Sequence, residues 1–104
     1  PLAWPPSHQG ITMYSLYILQ STKRKRFYIG VSMTPEKRLL EHNSGSTKST
    51  KPYRPWALIY VEEYKDKSDA MKREWHLKHP KGFLEKKQII ANNLLASISY
   101  GGVA

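Results

Sequence analysis

The stretch "FYIGVSMTPEKRLLEHNSG", Phe27 to Gly45, starts as one kind of structure and finishes as another. Its first five residues are aromatic, β-branched or glycine, the composition of a strand. Thr34 then offers a helix N-cap, Pro35 suits the first helical position, and Glu36 complements the positive end of the helix dipole. Asn43 to Gly45 supplies the stop. The segment therefore reads as strand, break and short helix, with Arg38 and His42 one turn apart on the same helix face.

Upstream, "YSLYILQ" (Tyr14 to Gln20) is a second apolar and aromatic run, separated from "RFYIGV" (Arg26 to Val31) by the basic turn "STKRK". The two read as an antiparallel hairpin. Alternation makes Leu16 and Ile18 core on one strand and Phe27, Ile29 and Val31 core on the other, leaving Tyr17 and Tyr28 on the opposite face. A register that pairs Ile18 with Phe27 also pairs Tyr17 with Tyr28, bringing two phenols together away from the core. Downstream, "SGSTKSTKPYRPW" is a long polar loop and "ALIYVEEY" (Ala57 to Tyr64) a third strand. "DAMKREWHLKH" reads as a helix capped by Ser68 or Asp66 and ended by Pro80. A third helix is expected from Gly82 to about Leu95, with Phe83, Leu84, Ile89 and Ile90 as core contacts. The order ββαβαα predicts an α+β fold, a small three-stranded antiparallel sheet flanked by helices. Residues 1–12 read as a flexible leader, 13–95 as the domain and 96–104 as a flexible tail.

The chain of 104 residues suffices for one modest core. It has no cysteine, so disulfides and thiolate metal sites are excluded. No apolar run is long enough for a transmembrane helix and no secretory signal is visible, which makes the cytoplasm the expected location. Seventeen Lys/Arg against eight Asp/Glu give a net charge of +9, and all of these charges lie between Lys23 and Lys87. A compact basic domain suits a polyanionic partner, nucleic acid first.

The second helix carries an anomaly. At about 100° per residue, Ala70, Met71, Trp75 and Leu77 form an apolar arc, and Glu74 falls near its middle. A carboxylate there must be paired, protonated or bound to metal. Two readings stay open: an ion pair with Lys78 four residues on, or a metal ligand. Taken singly, Arg38 and His42 also fit a solvated helix face, and Tyr17 and Tyr28 fit ordinary half-buried strand aromatics.

Together these residues resemble the GIY-YIG nuclease superfamily, most closely its small single-domain members related to the amino-terminal catalytic domain of the UvrC repair nuclease. The resemblance rests on "SLY" (Ser15 to Tyr17), "YIG" (Tyr28 to Gly30), Arg38 within "EKRLLEHNSG", Pro55-Trp56, and Glu74 within "AMKREWHLKH", and it covers about Met13 to Ala91. It implies one divalent cation, Mg²⁺ or Mn²⁺, held by Glu74. It implies Tyr28 as the base that takes a proton from the attacking water, Tyr17 as its orienting partner and Arg38 as the group that stabilises phosphate charge. His42, where UvrC-type domains have a third tyrosine, would share the acid/base work. Gly30 would leave room for backbone or substrate. Lys86 stands where UvrC-type domains place another polar residue, and Ser15 replaces the first glycine of the signature.

The implied activity is hydrolysis, or nicking, of DNA phosphodiester bonds, with RNA as a further possible partner class and a targeting protein as another. Lys23, Arg24, Lys25 and Arg26 at the hairpin tip, with Lys48, Lys51, Tyr53 and Arg54 in the long loop, are the candidate nucleic-acid contacts, binding phosphate without regard to sequence. The rival readings are a non-catalytic nucleic-acid-binding module on the same scaffold and a protein-interaction adaptor. Oligomeric state is open at this level.

Overall fold

The computed structural model of the protein describes residues 12–94. The expected leader, apart from Thr12, and the expected tail lie outside the described residues. β1 (Tyr14–Ser21), β2 (Phe27–Ser32) and β3 (Trp56–Tyr64) form one antiparallel sheet in the order β2-β1-β3. α1 (Pro35–Ser44) follows β2, and α2 (Lys67–Lys78) and α3 (Phe83–Asn93) follow β3. Single 3₁₀ turns occupy Lys51–Tyr53 and Pro80–Gly82. The ββαβαα order and the α+β class are those expected from the sequence. Among the described residues no helix is long and apolar enough to cross a membrane.

The sheet carries a core on each face. Leu16, Ile18, Ile29 and Ile59 pack with Leu77 of α2, and Ile89 and Ile90 of α3 close over them. On the other face Tyr17, Leu19 and Trp56 pack with Tyr28, Leu58, Val61 and Leu39 of α1. The face carrying the phenols is therefore not turned away from the core, as alternation alone suggested, but is the floor of a second core. Aromatic bulk and the long loop cover it where a two-layer fold would leave it to water.

The hairpin register also differs from expectation. Tyr17 lies opposite Gly30 and Leu19 opposite Tyr28, a slide of two residues. The turn explains it: the Ser21 hydroxyl accepts hydrogen bonds from the amides of Lys23 and Arg24, at 3.1 and 3.0 Å, and fixes a longer connection. A slide of two keeps each side chain on its face, so Tyr17 and Tyr28 remain neighbours, now on a diagonal.

Several side chains expected in the core are at the surface. Phe27 lies at the outer end of β2, and Met71, Trp75, Phe83 and Leu84 are all exposed. Ala70 and Leu77 alone are buried on α2, so the apolar arc is narrower than the sequence suggested. The unexpected occupant of that face is an ionic network. Glu62 on β3 accepts hydrogen bonds from the hydroxyls of Tyr60 and Tyr64 and from Arg73 of α2. Arg73 also reaches Glu85 of α3, which meets His76. Burial alone would raise the Glu62 carboxyl, but Arg73 and the two phenols hold it below the usual range. Burial first, and then the Glu62 carboxylate, pushes both phenols up to about 12.

α1 ends where Gly45 adopts a left-handed φ of 86°, a conformation open to glycine. Thr34 occupies the N-cap position without a side-chain capping bond. Asn43, expected to help stop the helix, stays helical and does something else. Its side-chain amide pairs with the backbone of Trp56 in both directions, accepting from the amide at 2.6 Å and donating to the carbonyl at 3.0 Å. It completes the rim of β3 as a neighbouring strand would and ties α1 to the sheet. Asn43→Ala should cost about 1–3 kcal/mol by leaving two backbone groups unpaired; urea unfolding measures this, and an unchanged midpoint would contradict the role.

Candidate active site

The site residues expected from the sequence come from four segments. Tyr17 is 1% exposed. Its ring lies over Gly30: a Cβ on that glycine would sit 2.7 Å from the Tyr17 hydroxyl oxygen and 3.0 Å from Tyr28 Cε2. Gly30 thus makes room for a phenol of this chain, where the sequence suggested substrate or backbone. The Tyr17 and Tyr28 rings lie 6.1 Å apart between centroids.

α1 crosses this face with Pro35, Leu39 and His42 toward the sheet, as a helical period of three to four residues requires. Arg38 pairs with Glu41 one turn on. The nearby Tyr17 phenol and Glu41 both keep the Arg38 guanidinium firmly charged. Burial raises the Tyr17 phenol; Arg38 offsets part of that, and Tyr28 adds to it. Tyr17 therefore holds its proton across the neutral range.

His42 is fully buried, with its ring centroid 4.5 Å from that of Tyr28. Its Nδ1 lies 2.8 Å from the Thr50 hydroxyl, which in turn lies 3.3 Å from the Thr47 carbonyl. A carbonyl only accepts, so Thr50 donates to Thr47 and receives the proton of His42 Nδ1. The other ring nitrogen, Nε2, is buried without a partner and carries a lone pair. Burial, and then the nearby Arg38 charge, hold the imidazole below its ordinary value, against an opposing pull from Glu41. Thr50 was not singled out by sequence reasoning; it lies eight residues from His42 in an irregular loop, and only the folded path of that loop brings it near.

Glu74 lies on α2, which packs on the opposite face, and its partner Lys78 reaches Tyr28 at the rim. Its Oε2 accepts from Lys78 Nζ at 2.9 Å, and that nitrogen sits 6.0 Å from the centre of the Tyr28 ring. β2 is an edge strand, so a long side chain from one face can reach round it to the other. Of the two readings of Glu74, the ion pair with Lys78 is observed. The Glu74 side chain is largely buried, while that of Lys78 is half exposed.

The basic positions form a separate unit. Lys23, Arg24, Lys25 and Arg26 are exposed at the hairpin tip, as are Lys48 and Lys51 in the loop. Arg26 stacks over the Tyr53 ring at 4.8 Å, joining tip to loop. Tyr53 packs on Trp56, and Arg54 donates to the Lys51 carbonyl, so these two are partly committed to holding the loop.

The GIY-YIG catalytic domain model matches residues 13–88, and the chain belongs to this family. It is 38% identical over 86 residues to the UPF0213 protein YsiG of Lactococcus lactis, covering 82% of each chain. It is 41% identical over 64 residues to the UPF0213 protein SSP2268 of Staphylococcus saprophyticus, 61% of this chain and 77% of that one. It is also 38% identical over 71 residues to the structure-specific endonuclease subunit SLX1 homolog of Cryptosporidium parvum, covering 64% of this chain and 17% of that protein.

Two outcomes follow from this geometry. Gly30→Ala must displace the Tyr17 ring and should cost about 1–3 kcal/mol, read from urea unfolding, with altered ring resonances for Tyr17 and Tyr28. His42 titrates below its ordinary 6.5, so as pH falls the unfolded chain binds a proton there before the folded chain does. Its contribution to stability is intact above that value and is lost as pH drops toward the folded-state midpoint. His42→Gln should flatten that acid limb, and an imidazole NMR midpoint at or above the ordinary value would contradict the assignment.

Proposed function

We propose that the chain is a metal-dependent endonuclease that hydrolyses phosphodiester bonds of DNA, leaving a nick. The observation that carries this reading is the meeting of Tyr17, Tyr28, Arg38 and His42 on one sheet face, with the Glu74–Lys78 pair reaching Tyr28 round the β2 rim. The family and the endonuclease subunits among the relatives support it.

Glu74 would hold Mg²⁺ or Mn²⁺. Among the described residues no three His, Cys, Asp or Glu side chains cluster, so a cation here rests on one carboxylate plus water and phosphate oxygens. That donor set suits Mg²⁺, which keeps several waters, better than Zn²⁺, which favours three or four protein ligands. Lys78 holds Glu74 only as an exposed partner, and releasing it costs little. A cation held by Glu74 would supply Lewis-acid polarisation of the scissile phosphate and neutralisation of charge on the leaving oxygen.

The protein's own groups do the rest. Arg38 faces the phosphate from α1 and stabilises charge that develops on its non-bridging oxygens. Tyr17, which keeps its proton, would turn it toward Tyr28 and orient that phenol from the neighbouring strand. Tyr28 accepts a proton from the attacking water as the new oxygen–phosphorus bond forms. Its own hydroxyl proton leaves as that proton arrives, and His42, whose ring packs against Tyr28 and whose Nε2 lone pair is uncommitted, would share this acid/base work as the acceptor. The bond from phosphorus to the leaving oxygen then breaks, and that oxygen takes a proton from solvent. The exposed lysines of the hairpin tip and loop hold the strand by its phosphates. The SLX1 relatives are by name subunits, which supports a targeting partner as the source of selectivity.

The Glu74–Lys78 ion pair is what a non-catalytic nucleic-acid-binding module would also keep, and one assay separates the two. Purified chain is incubated with nicked, branched and single-stranded DNA, and with RNA, in Mg²⁺, Mn²⁺ or EDTA. Metal-dependent cleavage is expected, abolished in Glu74→Gln and reduced about 10²–10⁴-fold in Tyr28→Phe. Salt-sensitive binding without cleavage of any substrate would establish the module instead.

A further inference from the structure

The outer surface of α2 carries a stripe that neither the core nor the proposed chemistry uses. Met71 and Trp75 are four apart on the same side of α2, and His79, its C-cap, continues the line. Trp75 is 60% exposed, which is unusual for so large an apolar ring. It is not loose: it stacks on the His79 imidazole, with centroids 4.3 Å apart and planes inclined by 26°. One face of the indole is thereby held, and most of its surface is open to solvent.

Beside the stripe is a cavity of about 430 Å³ lined by Lys78, His79, Pro80, Phe83 and Lys86. Phe83 is exposed too, and the ammonium groups of Lys86 and Lys87 lie 5.8 and 5.9 Å from its ring centre. Flat rings therefore alternate with lysines over a short distance. The lysines answer phosphates and the rings answer bases, so an unpaired strand engages both. Lys78 belongs to both places: it lines the cavity, pairs with Glu74 and sits above Tyr28.

We propose that Trp75, supported by His79, is a stacking platform for an unpaired base of the bound strand, close to the phosphodiester at Glu74, with Lys78 and Lys86 holding the adjoining phosphates. The proposal rests on the reading of Glu74 and Tyr28 as the cleavage site. It deepens that reading by naming the substrate class: a strand whose base next to the cut is free to leave its stack. A base locked in a duplex hides its faces against its neighbours and cannot lie on the indole.

The test is fluorescence anisotropy in EDTA, so that binding is read apart from cleavage. The probes are a short fluorescein-labelled oligothymidylate, the same oligomer with abasic positions, and a blunt duplex. Trp75→Ala should weaken binding to oligothymidylate by about tenfold or more, as loss of one stacked base predicts. Trp75→Phe should restore most of it, and the wild-type chain should bind the abasic oligomer about as weakly as Trp75→Ala binds the intact one. Duplex binding should change less than about twofold in either variant, since phosphate contacts dominate there. Unchanged affinity of Trp75→Ala for oligothymidylate would overturn the platform, as would an equal loss on duplex. So would sedimentation showing that wild-type chains associate through this patch and that Trp75→Ala separates them. If the platform behaves as described and no metal-dependent cleavage is found, the nuclease reading fails and the binding site stands. If cleavage is found and Trp75→Ala is silent on every probe, the reverse holds.

Discussion

The ring of Tyr17 rests on the backbone of Gly30, and the rest of the site is arranged around that contact. β1 is the central strand, so a phenol on it can come under the polar side chains of α1 only if its neighbour on β2 has no side chain. With the glycine in place, Tyr17 lies flat against the sheet, and its hydroxyl reaches both Arg38 and Tyr28. Burial of that hydroxyl keeps it protonated, and a protonated hydroxyl can orient a neighbour by donating to it. A methyl group on β2 would lift the ring and disturb Arg38 and Tyr28 together.

Two further contacts hold α1 over this floor. Asn43 borrows the backbone of Trp56 at the start of β3, and the Trp56 indole donates to the Thr50 carbonyl at 2.9 Å. Thr50 in turn fixes the imidazole of His42. A chain of bonds therefore runs from β3 through the loop to the residue that faces Tyr28. The long loop, polar and proline-containing in sequence, is a structural part of the site as well as a carrier of basic charge.

The fold was legible because its signals are local. Proline after threonine, glycine after the last helical turn and the alternation of the strands each act over a few residues, and they placed α1, β1, β2 and β3 close to where they lie. The five candidate site residues were legible only as an ordered series, since a tyrosine or an arginine alone says little. What could not be read depends on distant partners. The two-residue slide of the hairpin is set by Ser21 capturing two turn amides, which alternation does not encode. Trp75 and Met71 matched the helical period of a buried face, yet β1 and β2 meet α2 through Leu77 and Ala70, and the ionic network of Glu62 and Arg73 takes the remaining space. His42 read as a helix-surface residue because the loop that buries it begins beyond the helix end.

β2 is a rim strand, and among the described residues its outer backbone amides and carbonyls have no partner strand. A foreign strand annealing there would be welcome to those groups and would extend the sheet. It would also come up beside Tyr28 and the Lys78 ammonium, which lies 6.0 Å from the centre of that ring. The openness that makes the edge sticky therefore adjoins the cluster of phenols, and whatever seals the first crowds the second.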